Sequence, residues 1–255
     1  MIKRLMCLFM SCMVVLGLCL CVSAQGYSWY FKPKNDGTRP ELCPEADFVK
    51  NYDVITIGKE EKKIYRTFDA GYENGNVEKI LDILGENDVK GTFFVLPALV
   101  KNNTRLCKRI KEEGHIAGNH SVHHKNMGKV SDIESFRKET LPLDDFFKEK
   151  TGYEMDKYFR PPEGAFTENT LKFAEELGYT TVFWSLAYAD WDNNKQMNEE
   201  RALNLLVSRT HDGCVLLLHP TSETNVKILD RYIKMMKNQG YRFVLVDELK
   251  KSTVG

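Results

Sequence analysis

The chain has 255 residues, of which 42% are hydrophobic and 28% charged, so it is long enough to bury one sizeable core. Lysine and arginine together number 36, as do aspartate and glutamate, so the formal net charge is zero. Without a basic field there is no electrostatic basis for binding nucleic acid or an anionic membrane surface. Composition therefore favours one domain and argues against a polyanion as its partner.

Residues 1–24 have the pattern of a signal peptide. Lys3 and Arg4 precede an apolar run that ends near Val22, and small residues follow up to Ala24. The run also approaches the ~18 apolar residues that a membrane-spanning helix needs, so an uncleaved N-terminal anchor is the alternative. Both alternatives predict an exported, extracytoplasmic domain that contacts a membrane only through this segment, if it is retained.

Cysteine placement is a weak guide to the compartment. Of the seven cysteines, only Cys43, Cys107 and Cys214 lie beyond residue 24. Three cysteines at wide spacing form neither a disulfide framework nor a zinc ribbon. We therefore expect buried or isolated thiols, with at most one disulfide.

Residues 25–62 form an irregular N-terminal arm rich in aromatic side chains. Tyr27, Trp29, Tyr30 and Phe31 precede a stretch that contains proline and glycine. Exposing so much aromatic surface is costly, so the arm is expected to pack on the domain that follows. A surface that stacks on a ligand is the alternative.

From residue 63 to residue 255, short apolar strands alternate with amphipathic helices. Strands are predicted at 64–69, 91–95, 115–118, 157–160, 180–184, 214–218 and 242–246. Helices are predicted at 77–84, 104–113, 131–150, 167–177, 198–210 and 223–239. Strict alternation implies parallel strands joined by right-handed crossovers. The expected fold is α/β, a distorted or incomplete (β/α) barrel with about seven parallel strands.

Ionisable side chains follow several of these strands directly. The five motifs are Thr67-Phe68-Asp69, His120-Ser121-Val122-His123-His124, Arg160-Pro161-Pro162, Asp190-Trp191 and Leu218-His219. Because the carboxyl ends of parallel strands meet at one edge, these side chains are expected to converge there.

In this order, the motifs resemble those of the polysaccharide deacetylase family, also called carbohydrate esterase family 4 or the NodB homology domain. The resemblance covers roughly residues 62–248. Segments 27–30, 71–75 and 183–188 look like the PdaA branch, whose members deacetylate muramic acid in spore-cortex peptidoglycan, and the product cyclises to muramic δ-lactam. The resemblance implies a hydrolase acting on peptidoglycan glycan strands with a divalent metal ion, zinc before other metals.

Hydrolysis of an N-acetyl group needs a base for the attacking water, a stabilised oxyanion and an acid for the leaving amine. Asp69 is the candidate base, Arg160 the partner that keeps it ionised, and His219 the candidate acid. The resemblance implies that Asp190 orients His219, which would raise the pKa of that histidine. The alternatives are a structural carboxylate, a surface arginine and a core histidine.

His120 and His124 are four residues apart, which puts both imidazoles on one face if the segment is helical. The resemblance implies that both are metal ligands. Where the wider family has an aspartate as third ligand, this chain has Ala70, which has no donor atom. A three-ligand zinc site therefore cannot form from these positions alone, and waters, Glu73 or Asn74 are the candidates to complete it.

The sequence indicates the substrate-binding residues less clearly than the catalytic residues. Six residues near the strand ends are expected to contact the sugar: Tyr72, Glu73, Asn74, Trp184, Tyr188 and Trp191. Core packing of the three residues at 184, 188 and 191 is the alternative. A lactyl carboxylate on muramic acid would suit a basic side chain, and Arg160 and Lys125 are the nearest candidates.

Two further functions stay open at this stage. One is deacetylation of N-acetylglucosamine in peptidoglycan or a chitin-like glycan. The other is a glycan-binding pseudoenzyme that lost turnover with the ligand missing at Ala70. A monomer is expected in each case.

Overall fold

The computed structural model describes residues 26–250, so the predicted signal peptide or anchor at 1–24 lies outside the described residues. Twelve strands are described: β1 (Tyr27–Ser28), β2 (Phe31–Lys32), β3 (Glu41–Leu42), β4 (Val54–Ile55), β5 (Lys63–Ala70), β6 (Thr92–Val95), β7 (Ile116–Asn119), β8 (Tyr158–Phe159), β9 (Ala165–Phe166), β10 (Thr180–Val182), β11 (Cys214–Leu218) and β12 (Arg242–Val244). The α-helices are α1 (Asn76–Glu86), α2 (Pro97–Asn102), α3 (Thr104–Glu112), α4 (Ile133–Thr151), α5 (Glu168–Glu176), α6 (Glu199–Arg209) and α7 (Glu223–Asn238). Within 26–250, every helix is too short or too polar to cross a bilayer.

Eight of these strands form one parallel sheet in the order β11-β5-β6-β7-β8-β10-β4, and β12 pairs with the start of β5. A parallel bridge from Leu186 to Leu216 joins the chain after β10 back to β11 and curls the sheet toward closure. This confirms the predicted distorted (β/α) barrel. The added eighth strand is β4, in which Val54 pairs with Thr181. A strand of two residues is too short for an alternating pattern to reveal it.

Side-chain alternation along β5 separates two apolar layers. Tyr65 packs with residues of other strands inside the barrel. Ile64 and Phe68 instead pack with helix residues on the outer face of the sheet. Thr67 and Asp69 follow Tyr65 at intervals of two, so Asp69 reaches the interior at the carboxyl end of the strand.

Several predicted elements differ at their ends. The strand predicted at 180–184 ends at Val182, and the chain then turns toward β11, where the amides of Ser185 and Leu186 donate to the Val215 carbonyl. Helix α2 was not predicted, since six residues are too few to show a helical periodicity.

The N-terminal arm packs on the barrel. Trp29 stacks on Phe183 with ring centroids 4.7 Å apart, and its indole N–H donates to the carbonyl of Trp184 at 2.8 Å. Tyr27 stacks on Phe166 at 5.6 Å. The arm therefore supports the segment that carries Trp184.

The cysteines of the described chain are buried free thiols, as expected. Burial raises the pKa of Cys107 and of Cys214 to about 12. Both thiols are therefore protonated and unreactive at neutral pH.

Candidate active site

A pocket of about 640 Å³ opens at the carboxyl ends of the barrel strands. Its lining residues are Asp69, Gly71, Tyr72, Leu96, His120, His124, Glu163, Trp184, Trp191, Leu217, His219 and Thr221. They come from the ends of six strands, as expected for a parallel barrel, and the volume suits a sugar-sized ligand.

Arg160 is wholly buried and holds the carboxylate of Asp69. Its Nη1 donates to Asp69 Oδ1 at 2.8 Å, its Nη2 to Thr67 Oγ1 at 2.8 Å, and its Nε to the Val182 carbonyl at 3.0 Å. The guanidinium also lies 4.3 Å from the centroid of the Phe94 ring. Arg160 is thus a fixed counter-charge and not a surface arginine, and it is unavailable for a substrate carboxylate.

The electrostatic surroundings of Asp69 favour its ionised form. Burial by itself raises the pKa of a carboxyl group, but the charges of Arg160, His120 and His219 outweigh burial and lower the pKa of Asp69. The carboxylate is therefore available to accept a proton throughout the neutral range.

His219 lies on the same pocket and is held by Asp190. Its Nδ1 lies 2.7 Å from Asp190 Oδ1, and its backbone N–H donates to Asp190 Oδ2 at 2.8 Å. Asn225 donates to Oδ2 at 2.6 Å, and the hydroxyl of Tyr188 donates to Asn225 Oδ1 at 2.5 Å. The chain of contacts leaves Nε2 of His219 as the nitrogen available for proton transfer.

The pKa of His219 lies above its ordinary value. Burial disfavours the imidazolium, but the hydrogen bond and charge of Asp190, with the charge of Asp69, outweigh burial and raise the pKa. His219 is therefore suited to hold a proton and donate it near neutral pH.

His120 has the surroundings of a metal-binding histidine. Its Nδ1 lies 2.9 Å from the Arg160 carbonyl, which fixes the proton on Nδ1 and leaves Nε2 with a lone pair. That Nε2 lies 3.6 Å from Asp69 Oδ2. Burial lowers the pKa of His120 to about 4, so the ring is neutral at pH 7.

The segment from His120 to His124 is an irregular loop, so the helical arrangement that would put both imidazoles on one face is absent. Ser121 and His124 have φ angles of 72° and 53°, and the Ser121 hydroxyl accepts from the His124 amide at 2.9 Å. The tight turn still places the two imidazole rings 5.1 Å apart. Proximity therefore comes from a turn and not from a helix face.

Glu73 and Asn74, the residues considered to complete a metal site, are hydrogen-bonded elsewhere. Ala70 is wholly buried among apolar side chains. Glu73 accepts from the Val77 amide at 2.8 Å, and Asn74 donates to the Thr221 carbonyl at 2.8 Å. Across residues 26–250, no three His, Cys, Asp or Glu side chains are grouped to hold a metal ion. The donors fit a two-histidine site completed by solvent or substrate, and they do not fit a three-ligand site.

The residues predicted to contact substrate divide into two groups. Tyr72 and Trp191 are 65% and 63% exposed, and both line the pocket together with Trp184. Tyr188 is buried, its hydroxyl donates to Asn225, and it does not line the pocket. Asn74 lines a smaller polar groove of about 290 Å³ that shares Thr221 with the pocket, and Glu73 lines neither.

Glu163 is a pocket residue that sequence reasoning missed. It is exposed at the rim with φ of 59°, a left-handed conformation that is unfavourable for a residue with a Cβ. Gly164 follows with φ of 64°, and a Cβ there would lie 2.8 Å from the Trp184 ring. The available signal was the proline and glycine that flank Glu163, which indicate a turn.

The polysaccharide deacetylase family model matches residues 56–182. The peptidoglycan-N-acetylmuramic acid deacetylase PdaA of Bacillus subtilis is 39% identical over 224 residues, covering 87% of this chain and 85% of that protein. The solved structure of Bacillus subtilis PdaA, described as a family 4 carbohydrate esterase, superposes with a TM-score of 0.84 at 38% identity. It covers 88% of this chain and 97% of that chain.

Relatives with other descriptions are also similar. A peptidoglycan-N-acetylglucosamine deacetylase of Bacillus cereus is 33% identical over 79% of this chain and 74% of that protein. A family 4 pseudoenzyme from Bacillus anthracis superposes with a TM-score of 0.70 at 29% identity, over 77% of this chain and 68% of that chain. Deacetylases of the family generally depend on a metal ion. The barrel, the site at its strand ends and these similarities show that the chain belongs to the polysaccharide deacetylase family, carbohydrate esterase family 4.

Proposed function

We propose that this protein removes the N-acetyl group from N-acetylmuramic acid in the glycan strands of peptidoglycan. One observation carries the proposal: Asp69, ionised beside Arg160, and His219, oriented by Asp190, line one pocket. A paired base and acid serve hydrolysis and have no use in binding alone. The likeness to PdaA supports muramic acid as the sugar.

Each side chain has one role in the proposed reaction. Asp69 accepts a proton from a water whose oxygen attacks the acetamido carbonyl carbon. His219 Nε2 gives its proton to the nitrogen as the C–N bond breaks, which releases acetate and leaves an amine on the sugar. A divalent ion, zinc before other metals, would be held by ring nitrogens of His120 and His124 and would polarise the carbonyl oxygen.

Several finer points form part of the same proposal. The amine formed on muramic acid cyclises with the lactyl carboxyl group, giving the muramic δ-lactam of spore cortex. The signal-like pattern of residues 1–24 supports export to the cell or forespore envelope. We propose a monomer that acts there on the glycan strands of peptidoglycan.

Mass spectrometry of muropeptides incubated with the protein and zinc tests this function, with Asp69→Asn as control. We expect acetyl to be lost from muramic acid and not from glucosamine, and only with the unmodified protein. Loss from glucosamine alone would instead support an N-acetylglucosamine deacetylase acting on peptidoglycan or a chitin-like glycan.

A glycan-binding pseudoenzyme is the second candidate, and Ala70 favours it because it lacks the third metal donor. No acetyl loss with any divalent metal, together with retained glycan binding, would support this candidate. Anomalous scattering from zinc-soaked crystals addresses the metal separately, and we expect a peak between His120 and His124.

A further inference from the structure

A second cavity, of about 470 Å³, borders the loop after β7, as does the catalytic pocket lined by Asp69 and His219. We call it the lysine pocket, and its polar lining includes Lys125, Asn126, Lys129, Ser135, Lys138 and Glu139. His124 lines the catalytic pocket and the next residue, Lys125, lines the lysine pocket. The two cavities therefore border the same loop.

The lysine pocket has an excess of positive charge. Its one lining carboxylate, Glu139, is 4% exposed and is already held by Lys125 at 2.6 Å and by His123 at 3.0 Å. Within the described part of the chain, Lys129 and Lys138 pair with no carboxylate. Two ammonium groups are therefore available to an anion that enters the cavity.

The positively charged lysine pocket lies beside the loop that carries His124, a candidate metal ligand. Glu139 on α4 accepts from the His123 amide at 3.3 Å, and its carbonyl accepts from the Val122 amide at 2.9 Å. The same buried residue thus anchors both the histidine loop and Lys125. An anion in the lysine pocket would therefore lie beside the loop that carries His120 and His124.

The chemistry of the glycan strand indicates which anion fits. Muramic acid carries a lactyl group that ends in a carboxylate or continues into a stem peptide with its own carboxylates, whereas N-acetylglucosamine carries none. Resting on the proposed function, we infer that the lysine pocket binds a carboxylate of the glycan strand while the acetyl group lies in the catalytic pocket. Arg160 cannot serve this purpose, because its guanidinium is buried and its donors are used.

The test compares three glycans with the double variant Lys129→Gln and Lys138→Gln. The glycans are peptide-free strands with lactyl carboxylates, strands with stem peptides, and a chitin oligosaccharide without carboxylates. We expect KM to rise about five- to tenfold on a carboxylate-bearing glycan with kcat unchanged, since exposed ion pairs contribute modestly. Chitin oligosaccharide, which the proposed activity does not deacetylate, is compared by Kd, and little change is expected there. The matched control is Lys108→Gln, on the exposed face of α3 and outside both pocket linings.

The glycan that responds identifies the source of the carboxylate. A rise on peptide-free strands assigns the pocket to the lactyl group, and a rise only on strands with peptides assigns it to the stem. An unchanged KM on both would overturn the inference.

A binding measurement separates this inference from the proposed function. Calorimetry with Asp69→Asn, with and without the two lysine changes, gives Kd for the same glycans in the absence of turnover. We expect five- to tenfold weaker binding of the carboxylate-bearing glycan, and the difference should shrink in high salt. An equal Kd, or no binding to any of the three glycans, refutes the lysine pocket. Absence of acetate release by the unmodified protein refutes only the proposed reaction.

Discussion

The two sides of the catalytic pocket are built to different degrees of completeness. On the proton-transfer side, Arg160, Asp190 and Asn225 are buried and each makes several hydrogen bonds. Arg160 holds Asp69, and Asp190 holds His219. On the metal side, His120 is fixed by one carbonyl and His124 is exposed.

The difference shows which part of the chemistry the fold fully specifies. In a buried network the hydrogen bonds strengthen one another, and a side chain that left the network would leave buried polar groups unpaired. Such a network therefore stabilises one side-chain geometry. The metal side has two nitrogen donors and, at Ala70, an apolar contact where a ligand is missing. The chain therefore fixes the proposed base and acid more tightly than the two proposed metal ligands.

The largest effect is expected from Asp69→Asn. Loss of the general base should lower kcat by roughly 10³- to 10⁴-fold, because the amide cannot accept the proton of water. Acetate release measures the rate, and circular dichroism checks the fold, since Arg160 loses its buried counter-charge. Asp82→Asn, on the exposed face of α1, is the control and should have no effect. A rate within tenfold of the unmodified protein would exclude Asp69 as the base.

Asp190→Asn is expected to shift the pH profile. His219 must be protonated to act as acid, so kcat falls as pH rises through its pKa, which Asp190 raises. The variant should move this basic limb to lower pH and reduce kcat by about 10²-fold above it. A limb that does not move would show that another group is the acid.

The raised pKa of His219 also makes stability depend on pH. Because the pKa in the folded state lies above the unfolded value of about 6.5, protonated His219 stabilises the protein fully below pH 6.5. This contribution is lost as pH rises through the folded-state pKa. Urea denaturation across that range should show the loss in the unmodified protein and a smaller loss in Asp190→Asn.

Ala70→Asp tests the side of the pocket that holds His120 and His124, where a third metal ligand is missing. A carboxylate buried among apolar side chains should destabilise the protein by roughly 1–3 kcal/mol in a chelator, and zinc should restore part of the loss. Zinc affinity should rise about 10- to 100-fold by competition with a chromogenic chelator. Adding His124→Ala should remove the gain. An unchanged zinc Kd would mean that position 70 cannot reach the two histidines.

Tyr188→Phe should have the smallest effect. The variant loses only the hydrogen bond to Asn225, so the free energy of unfolding should fall by about 1 kcal/mol, with kcat lowered a few-fold. KM should stay unchanged, because Tyr188 does not line the pocket. A severalfold rise in KM would restore the sequence-based interpretation of Tyr188 as a substrate contact.

The amino-acid sequence by itself determined the barrel and the membership of the site. Apolar strands alternating with helices require parallel pairing, so Asp69, Arg160 and His219 had to meet at one edge. It also determined the chemistry of position 70, since alanine carries no ligand atom whatever the fold.

Only the tertiary structure decided the details that depend on distant partners. Strand β4 forms because Val54 pairs with Thr181 of β10. The loop from His120 to His124 is held by Glu139, which contacts His123 from α4. Tyr188 turns away from the pocket because Asn225 accepts its hydroxyl. Local periodicity records which face of a regular element is apolar, but side-chain direction in an irregular segment follows from hydrogen bonds to residues far along the chain.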